Sequence, residues 1–220
     1  MTTLLEAEPR PLEIDPQRTA IMVIEMQNAF ISKGGMIDLW GLEISSEIIA
    51  PIKKITSIAR AKGLKVIYIT HRYSPELHES GGPNSPNWYL EALTLYREHP
   101  EWRDKLIIRG TWGAEIVDEL KPEEGDIVIE KPRHSAFHGS NTDVILKTYD
   151  IKYLAFVGSA TNVCVEASIR DAFNLDYFPI LISDAAAPAG PPFIQEATIH
   201  NIKLAYGYVA TTENLLKALL

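Results

Sequence analysis

The chain has 220 residues, of which 46% are hydrophobic, enough to bury the core of one domain. Its 21 Lys and Arg stand against 29 Asp and Glu, which gives a net charge of -8, and no Lys/Arg cluster offsets this excess locally. Nucleic acid and anionic membrane surfaces are therefore disfavoured as partners.

The N-terminus and the cysteine content indicate a soluble, cytoplasmic protein. Residues 1 to 16, MTTLLEAEPRPLEIDP, are acidic and broken by proline, so they lack the basic start and apolar core of a secretory signal. No uninterrupted apolar stretch approaches the roughly 18 residues of a transmembrane helix. The single cysteine, Cys164, cannot form an internal disulfide, which suits a reducing compartment and leaves its thiol available for chemistry.

An N-terminal arm is expected over residues 1 to 18 and one domain over 19 to 220. In the domain, short β-branched apolar runs alternate with longer helical segments, which is typical of α/β proteins. The runs are apolar on both faces, as parallel strands covered by helices should be. The expected strands are Thr19 to Glu25, Leu64 to Thr70, Leu106 to Ile108, Ile127 to Glu130, Tyr153 to Val157 and Pro179 to Ser183. The expected helices cover residues 45 to 62, 113 to 120, 141 to 148, 162 to 175, 191 to 201 and 211 to 219.

Residues 71 to 104 differ from this alternation. They begin with HRYSPELHESGGPNSPNWY, which is too rich in Pro, Gly, Ser and Asn for a regular element and too long for a simple connector. Long loops in compact domains are often lids or binding loops, so a lid is expected here.

Three reactive side chains lie where predicted strands end, the edge at which open parallel sheets bind ligands. Glu25 ends the first run, Lys131 follows IVIE, and Cys164 lies six residues after Gly158, where a strand should give way to a helix. The first turn of a helix favours a thiolate and offers N–H groups to an oxyanion. A lone cysteine is more often a small buried apolar residue. A base and a cation beside it, however, favour a nucleophile.

These segments resemble the isochorismatase-like cysteine hydrolases. The D-x-Q-N-x-F motif of that family, its lysine after a later strand and its G-x-x-T-x-x-C-V turn match EMQNAF, EKPRHSAF and GSATNVCVEAS. The resemblance runs from about residue 15 to the C-terminus. Further pieces, GGPNSPN, GTWGAEIVDEL and SDAAAPAGPPF, are similar to the members that hydrolyse ureidoacrylate in pyrimidine degradation.

The resemblance implies a three-layer α/β/α, Rossmann-like fold with a six-stranded parallel sheet in the order 3-2-1-4-5-6. Leu106 to Ile108 would be strand three, so Glu25, Lys131 and Cys164 would leave neighbouring strands one, four and five. In the family pattern Cys164 is the nucleophile and Glu25 the general base. Lys131 is the cation that favours the thiolate.

An oxyanion hole is also implied. A non-proline cis peptide would join Ala160 to Thr161 and turn the Thr161 N–H toward the same point as the N–H of Cys164. The implied reaction is amide or ureido hydrolysis through a thioester-type intermediate, without a metal or another cofactor. Ureidoacrylate, or its peroxy acid, would give aminoacrylate and carbamate.

Two histidines of the predicted lid, His71 and His78, are interpreted as loop residues. Some relatives, the nicotinamidases, bind a metal after strand two, but here the matching aspartate is missing, so no metal is expected. The family also implies association into dimers or tetramers.

A substrate with its own carboxylate needs a cationic or donor-rich anchor. Asn87 and His134 are preferred because their segments resemble the ureidoacrylate enzymes, and Phe30 and Ala160 are expected to contact the substrate. The anchor candidates are Arg72, Tyr73, Asn87, Arg133 and His134.

Other interpretations stay open. The substrate could be biuret, N-carbamoylsarcosine, maleamate or a related amide. Glu25 stands where the family has aspartate, which allows a weakly active or inactive binding protein, since the extra methylene adds about 1.5 Å. A nucleotide-binding Rossmann module is disfavoured because no G-x-G-x-x-G turn follows the first strand.

Overall fold

The N-terminal residues form a short antiparallel hairpin of β1 (Thr3–Leu5) and β2 (Leu12–Ile14). The computed structural model of the chain describes residues 2–219, with only the backbone of Glu91. Leu5 and Ile14 are fully buried in the same core as the C-terminal helix, so the hairpin packs on the domain through its apolar side chains.

Six parallel strands form the main sheet. They are β3 (Thr19–Ile24), β4 (Lys65–His71), β5 (Ile127–Lys131), β6 (Tyr153–Ser159), β7 (Phe178–Ala187) and β8 (Tyr208–Ala210). Their order across the sheet is β5-β4-β3-β6-β7-β8. Counted along the chain within this sheet, that is 3-2-1-4-5-6, and the predicted fold class is confirmed.

Helices cover both faces of the sheet because its central strands are apolar on both sides. Ile21 and Val23 of β3 face one core, and Met22 and Ile24 face the other. The helices are α1 (Asn28–Ile31), α2 (Met36–Leu39), α3 (Ile49–Ala61), α4 (Glu91–Glu98), α5 (Thr142–Thr148), α6 (Glu166–Asn174), α7 (Pro192–Asn201) and α8 (Thr212–Leu219). Within residues 2–219, no helix combines the length and apolar character needed to cross a bilayer.

The predicted third strand, Leu106 to Ile108, is not part of the main sheet. Its residues are buried, but their backbone groups bond to Tyr73, whose N–H donates to the Ile107 carbonyl at 2.9 Å and whose carbonyl accepts from Arg109 at 2.8 Å. The third strand is β5 and the sixth is the short, unpredicted β8.

The reactive residues therefore follow different strands from those expected. Lys131 ends strand three and Cys164 follows strand four, so the predicted assignment to strands four and five was wrong. Glu25 and Lys131 do not leave neighbouring strands, because β4 lies between β3 and β5. They still share one edge, since the carboxyl ends of parallel strands all point the same way.

The predicted helix at 113 to 120 is also absent. Two short 3₁₀ turns, Trp112–Ala114 and Asp118–Leu120, flank an extended stretch there. The backbone of that stretch bonds to the segment after β3: the N–H of Val117 donates to the Met26 carbonyl at 2.9 Å. Tertiary pairing thus replaces the helical hydrogen bonds.

Candidate active site

Glu25 follows β3 directly and takes a left-handed backbone conformation, with φ of 48°. Non-glycine residues rarely adopt this conformation, and here the neighbouring strands fix it. The Glu25 N–H donates to the Ile69 carbonyl at 2.8 Å, and the Glu25 carbonyl accepts from the Ser159 hydroxyl at 3.0 Å. A strained backbone held from both sides sets the direction of the carboxylate.

Gly158 allows β6 to pass close to β3 at this point. A Cβ atom on Gly158 would lie 2.1 Å from the Ile24 carbonyl oxygen, and the φ of Gly158 is 111°. Any side chain would therefore force the two strands apart. The glycine keeps the strand that leads to Cys164 against the strand that ends at Glu25.

Lys131 and Glu25 form a buried ion pair, each about 1% exposed. The Lys131 ammonium donates to Glu25 Oε1, and to the Arg133 carbonyl at 2.7 Å. Burial alone would raise the pKa of Glu25, but Lys131, His71 and a hydrogen bond from Cys164 lower it to about 2. Burial opposes the charge on Lys131 as well, yet its electrostatic interactions with Cys164 and Glu25 raise its pKa. Both partners are thus charged at neutral pH.

His71 belongs to the site, and its predicted position in a loop was wrong. It is the last residue of β4, not a loop residue, and is 3% exposed. Its Nδ1 lies 3.3 Å from Glu25 Oε1, and its Nε2 lies 3.1 Å from the Tyr73 hydroxyl. Burial, followed by the charge of Lys131, lowers the His71 pKa to about 4. The ring is therefore neutral at pH 7, and because a carboxylate only accepts, Nδ1–H donates to Glu25.

Tyr73 and Asn87 lie behind His71. Asn87 Nδ2 donates to the Tyr73 hydroxyl at 2.9 Å and to the Ser80 carbonyl at 3.3 Å. The Tyr73 hydroxyl is also 3.3 Å from the Pro132 carbonyl oxygen. These two predicted substrate contacts thus support His71 and do not line the cavity next to Cys164.

Cys164 lies in a wide, π-type first turn, Thr161–Val165, which continues into α6. Sγ is 3.5 Å from His134 Nδ1, so the predicted contact residue His134 lies beside the thiol. The Cys164 carbonyl accepts a hydrogen bond from the Ser168 hydroxyl at 2.6 Å, which fixes the turn. Cys164 also forms side-chain hydrogen bonds to Glu25 and Lys131, so the structure brings the three predicted catalytic side chains together.

The non-proline cis peptide joins Ser159 to Ala160, one bond earlier than predicted. The Ala160 carbonyl already accepts from the N–H groups of Val163 and Val165, at 3.0 and 3.2 Å. The peptide between Ala160 and Thr161 begins the first helical turn and is trans. Thr161 is fully buried, and its hydroxyl is among the buried polar atoms that have no hydrogen-bond partner within the described part of the chain.

A cavity of about 180 Å³ opens beside Cys164. Glu25 and His71 line its inner end, together with the predicted contacts Phe30 and Ala160. Other walls come from residues between β3 and α3, which the sequence reasoning did not assign to the site. They include Met36, Ile37, Trp40, Leu42 and Ile44.

Arg72 and Arg133, which were predicted as possible anchors for a substrate carboxylate, bond to other groups of the protein. Arg72 pairs with Glu130 at 3.1 Å and donates to the Ala114 carbonyl at 3.0 Å. Arg133 donates to the carbonyls of Glu79 and Pro132, at 2.8 and 2.7 Å. Neither arginine lines the cavity.

Among residues 2–219, one group has the composition and spacing to hold a metal ion. It consists of His71, His134 and Cys164, whose ligand atoms all lie within 4.8 Å of one another. Imidazole nitrogens and a thiolate are ligands that Zn²⁺ accepts, but this group includes the candidate nucleophile.

Comparison with known proteins finds relatives that cover most of the chain. The model of the isochorismatase domain matches residues 19–214. A protein of Agrobacterium fabrum named ureidoacrylate amidohydrolase RutB is 46% identical over 213 residues, covering 96% of this chain and 93% of that protein. A protein of the same name from Caulobacter segnis is 46% identical over 212 residues, covering 95% and 89%. The crystal structure of a cysteine hydrolase from Pseudomonas syringae pv. phaseolicola superposes with a TM-score of 0.77 at 27% identity, covering 94% of each chain.

Proposed function

The chain belongs to the isochorismatase family and is a hydrolase of amide C–N bonds; from this premise we propose that Cys164 is its nucleophile and ureidoacrylate its substrate. The observation that carries the mechanism is the buried Glu25–Lys131 pair in contact with the only cysteine of the chain, at the inner end of a cavity. The substrate is inferred from the relatives named ureidoacrylate amidohydrolase.

Lys131 supplies the positive charge that favours a thiolate. Its ammonium is fully buried, so its attraction for the sulfur is little screened by water. The thiol proton passes to Glu25 as sulfur attacks the carbonyl carbon. Because the resting pKa of Glu25 is about 2, the carboxylate holds this proton only briefly before it gives the proton to the leaving nitrogen.

The second half of the reaction uses the same carboxylate. Once the C–N bond has broken and the amine has left, Glu25 accepts a proton from water, and the hydroxide attacks the thioester-type intermediate. The N–H groups of Thr161 and Cys164 are the proposed donors to the oxyanion in both steps. His71 donates to Glu25 and keeps its carboxylate facing Lys131.

The test is ammonia release from ureidoacrylate and from a panel of small ureides and amides, including biuret, N-carbamoylsarcosine and maleamate. Cys164→Ala and Cys164→Ser should each lower kcat by at least ~1000-fold. Iodoacetamide should inactivate the wild type in step with alkylation of Cys164, because the chain has no other cysteine. Lys147→Ala, an exposed lysine on α5, is a matched surface control.

Two results would contradict the proposal. One is an absence of turnover on every compound of the panel, together with alkylation of Cys164 no faster than that of a free thiol. The other is turnover that survives in Cys164→Ala. Turnover of biuret or another amide without ureidoacrylate would keep the mechanism and change the substrate.

Self-association and a cytoplasmic location are further parts of the proposal. Large apolar side chains are exposed near the C-terminal part of the chain, among them Phe173, Phe193 and Leu204. Exposed apolar side chains of this kind are common at subunit interfaces. Light scattering should therefore give the mass of a dimer or tetramer, and a monomer at micromolar concentration would contradict this part.

A further inference from the structure

The cavity beside Cys164 is apolar apart from the reacting groups. Three of its lining residues, Glu25, His71 and Cys164, belong to the catalytic cluster, and all the others have apolar side chains. Phe30, Val163 and Ile44 represent three different parts of this wall. A surface of this kind stabilises an apolar group through the hydrophobic effect, and the indole N–H of Trp40 is the one side-chain donor among these apolar lining residues.

The charges around the cavity disfavour an anion inside it. Glu25 is the charged residue that lines it, and its carboxylate is negative. Lys131 is committed to Glu25 and to the Arg133 carbonyl, and Arg72 is committed to Glu130. A carboxylate in the cavity would therefore lose its hydration without gaining a cationic partner.

We propose that this cavity gives the enzyme a second class of substrate: uncharged primary carboxamides with a short, branched aliphatic acyl chain. The inference rests on the proposed function, in that Cys164 is again the nucleophile. The carboxylate of ureidoacrylate then lies outside the apolar cavity, on the side of the thiol where His134 is found.

The size of the cavity limits the acyl chain. A non-hydrogen atom of a small aliphatic group occupies about 30 Å³, the volume of one water molecule in the liquid, so 180 Å³ holds about six such atoms. An acyl chain of four carbons with its amide nitrogen and oxygen has six such atoms and fills this volume, and a chain of five carbons has seven and reaches its limit. Isobutyramide and 3-methylbutyramide are compounds of this size.

The reaction is a simple hydrolysis. Sulfur of Cys164 bonds to the carbonyl carbon, the C–N bond breaks, and the nitrogen leaves as ammonia with the proton returned by Glu25. Water then cleaves the thioester, which restores the thiol and releases the carboxylate. Because the cavity disfavours an anion, the charged product binds in it more weakly than the neutral substrate does.

Two residues define the mouth of the cavity. Trp40 and Leu42 line it and also reach the surface, with exposed fractions of 44% and 38%. An arginine in place of Leu42 would place a positive charge at the mouth of the cavity. Its guanidinium would stay in water, because the long side chains of arginine and lysine extend to the surface in this way. These positions allow the chemistry of the cavity to be altered without touching the catalytic cluster.

The experiment measures kcat/KM for acetamide, propionamide, isobutyramide and 3-methylbutyramide, and for malonamate, in which a carboxylate replaces the isopropyl group of 3-methylbutyramide. Each added carbon should raise kcat/KM about 10-fold, the usual effect of a methylene in an apolar pocket. Malonamate should react at least ~100-fold more slowly than 3-methylbutyramide. Trp40→Ala should flatten the dependence on chain length, whereas Trp112→Ala, an exposed tryptophan outside the cavity, should not.

Leu42→Arg should raise kcat/KM for malonamate relative to 3-methylbutyramide by at least ~10-fold. Val144→Arg, which adds the same charge at an exposed site on α5, should leave that ratio unchanged. A rate independent of chain length in the wild type, or malonamate faster than 3-methylbutyramide, would overturn the inference. N-alkylureas hydrolysed without any carboxamide turnover would overturn it too.

The two proposals fail in different ways. Ureidoacrylate turnover with no carboxamide turnover removes the inference and leaves the proposed function intact. Carboxamide turnover that is lost in Cys164→Ala, without ureidoacrylate turnover, supports the inference and removes only the proposed substrate. Turnover of either compound in Cys164→Ala overturns both proposals.

Discussion

Replacing Glu25 by aspartate, the residue that the family motif carries at this position, should slow the enzyme. Aspartate is shorter by one methylene, about 1.5 Å. From a position 3.3 Å from His71 Nδ1, the carboxylate would move beyond hydrogen-bond range of the imidazole. At an effective dielectric constant of about 20, lengthening an ion pair from about 3 to 4.5 Å costs roughly 2 kcal/mol, which is about 30-fold in rate.

The left-handed backbone at residue 25 makes a compensating shift expensive, because strands β4 and β6 both hold it by hydrogen bonds. Misplacement of a catalytic group by about 1 Å can cost on the order of 100-fold. Glu25→Asp should therefore lower kcat/KM by ~30- to 100-fold, measured as ammonia release at pH 7.5. Glu130→Asp, the same shortening on β5 outside the cavity, should change it less than ~3-fold.

An unchanged or higher rate in Glu25→Asp would refute this reasoning. A large gain in particular would mean that the glutamate is itself a misplaced base and that the wild type is a slow variant. A thermal melt of each variant separates a loss of folding from a loss of catalysis, because the rate comparison applies only to the folded fraction.

Two further predictions concern stability. Lys131→Met leaves the Glu25 carboxylate buried without its cation, so urea titration should show a free energy of unfolding lower by roughly 3 to 5 kcal/mol. The inactive double variant Glu25→Gln/Lys131→Met should recover most of this loss, because it removes the buried charge as well. His71 has a folded pKa of about 4 against an ordinary 6.5, so below pH 6.5 the unfolded chain binds a proton that the folded chain does not. Stability therefore falls as the pH drops from 6.5 to 4, and the wild type should lose about 2 to 3 kcal/mol more than His71→Asn between pH 7.5 and 4.5. Equal losses would contradict the assignment of this acid sensitivity to His71.

Apolar runs predicted the central strands of the sheet well. Thr19–Ile24 is buried along its whole length, and the five apolar residues that follow Thr19 have few alternatives to a covered parallel strand. Leu106 to Ile108 is equally buried but forms no sheet strand, because its backbone bonds to Tyr73 instead. Apolar character predicted burial in both cases, whereas the hydrogen-bond partner depended on tertiary contacts.

The reactive side chains could be grouped from the sequence even though two strand assignments were wrong. A parallel sheet brings all of its carboxyl ends to one edge, so the grouping does not depend on strand number. The role of His71 could not be predicted from the sequence in the same way. His71 pairs in register with Lys131 between β4 and β5, and only that register places the imidazole beside the Glu25 carboxylate.

The position of Asn87 connects the long loop to the catalytic carboxylate. Its amide donates to the Tyr73 hydroxyl, this hydroxyl lies 3.1 Å from His71 Nε2, and His71 Nδ1 donates to Glu25. Because neutral imidazole has one donor and one acceptor, a hydroxyl donating to Nε2 fixes the proton on Nδ1. The loop that carries Asn87 therefore helps to set the tautomer of His71 and, through it, the orientation of the base. Asn87 can influence catalysis in this way without contacting the substrate.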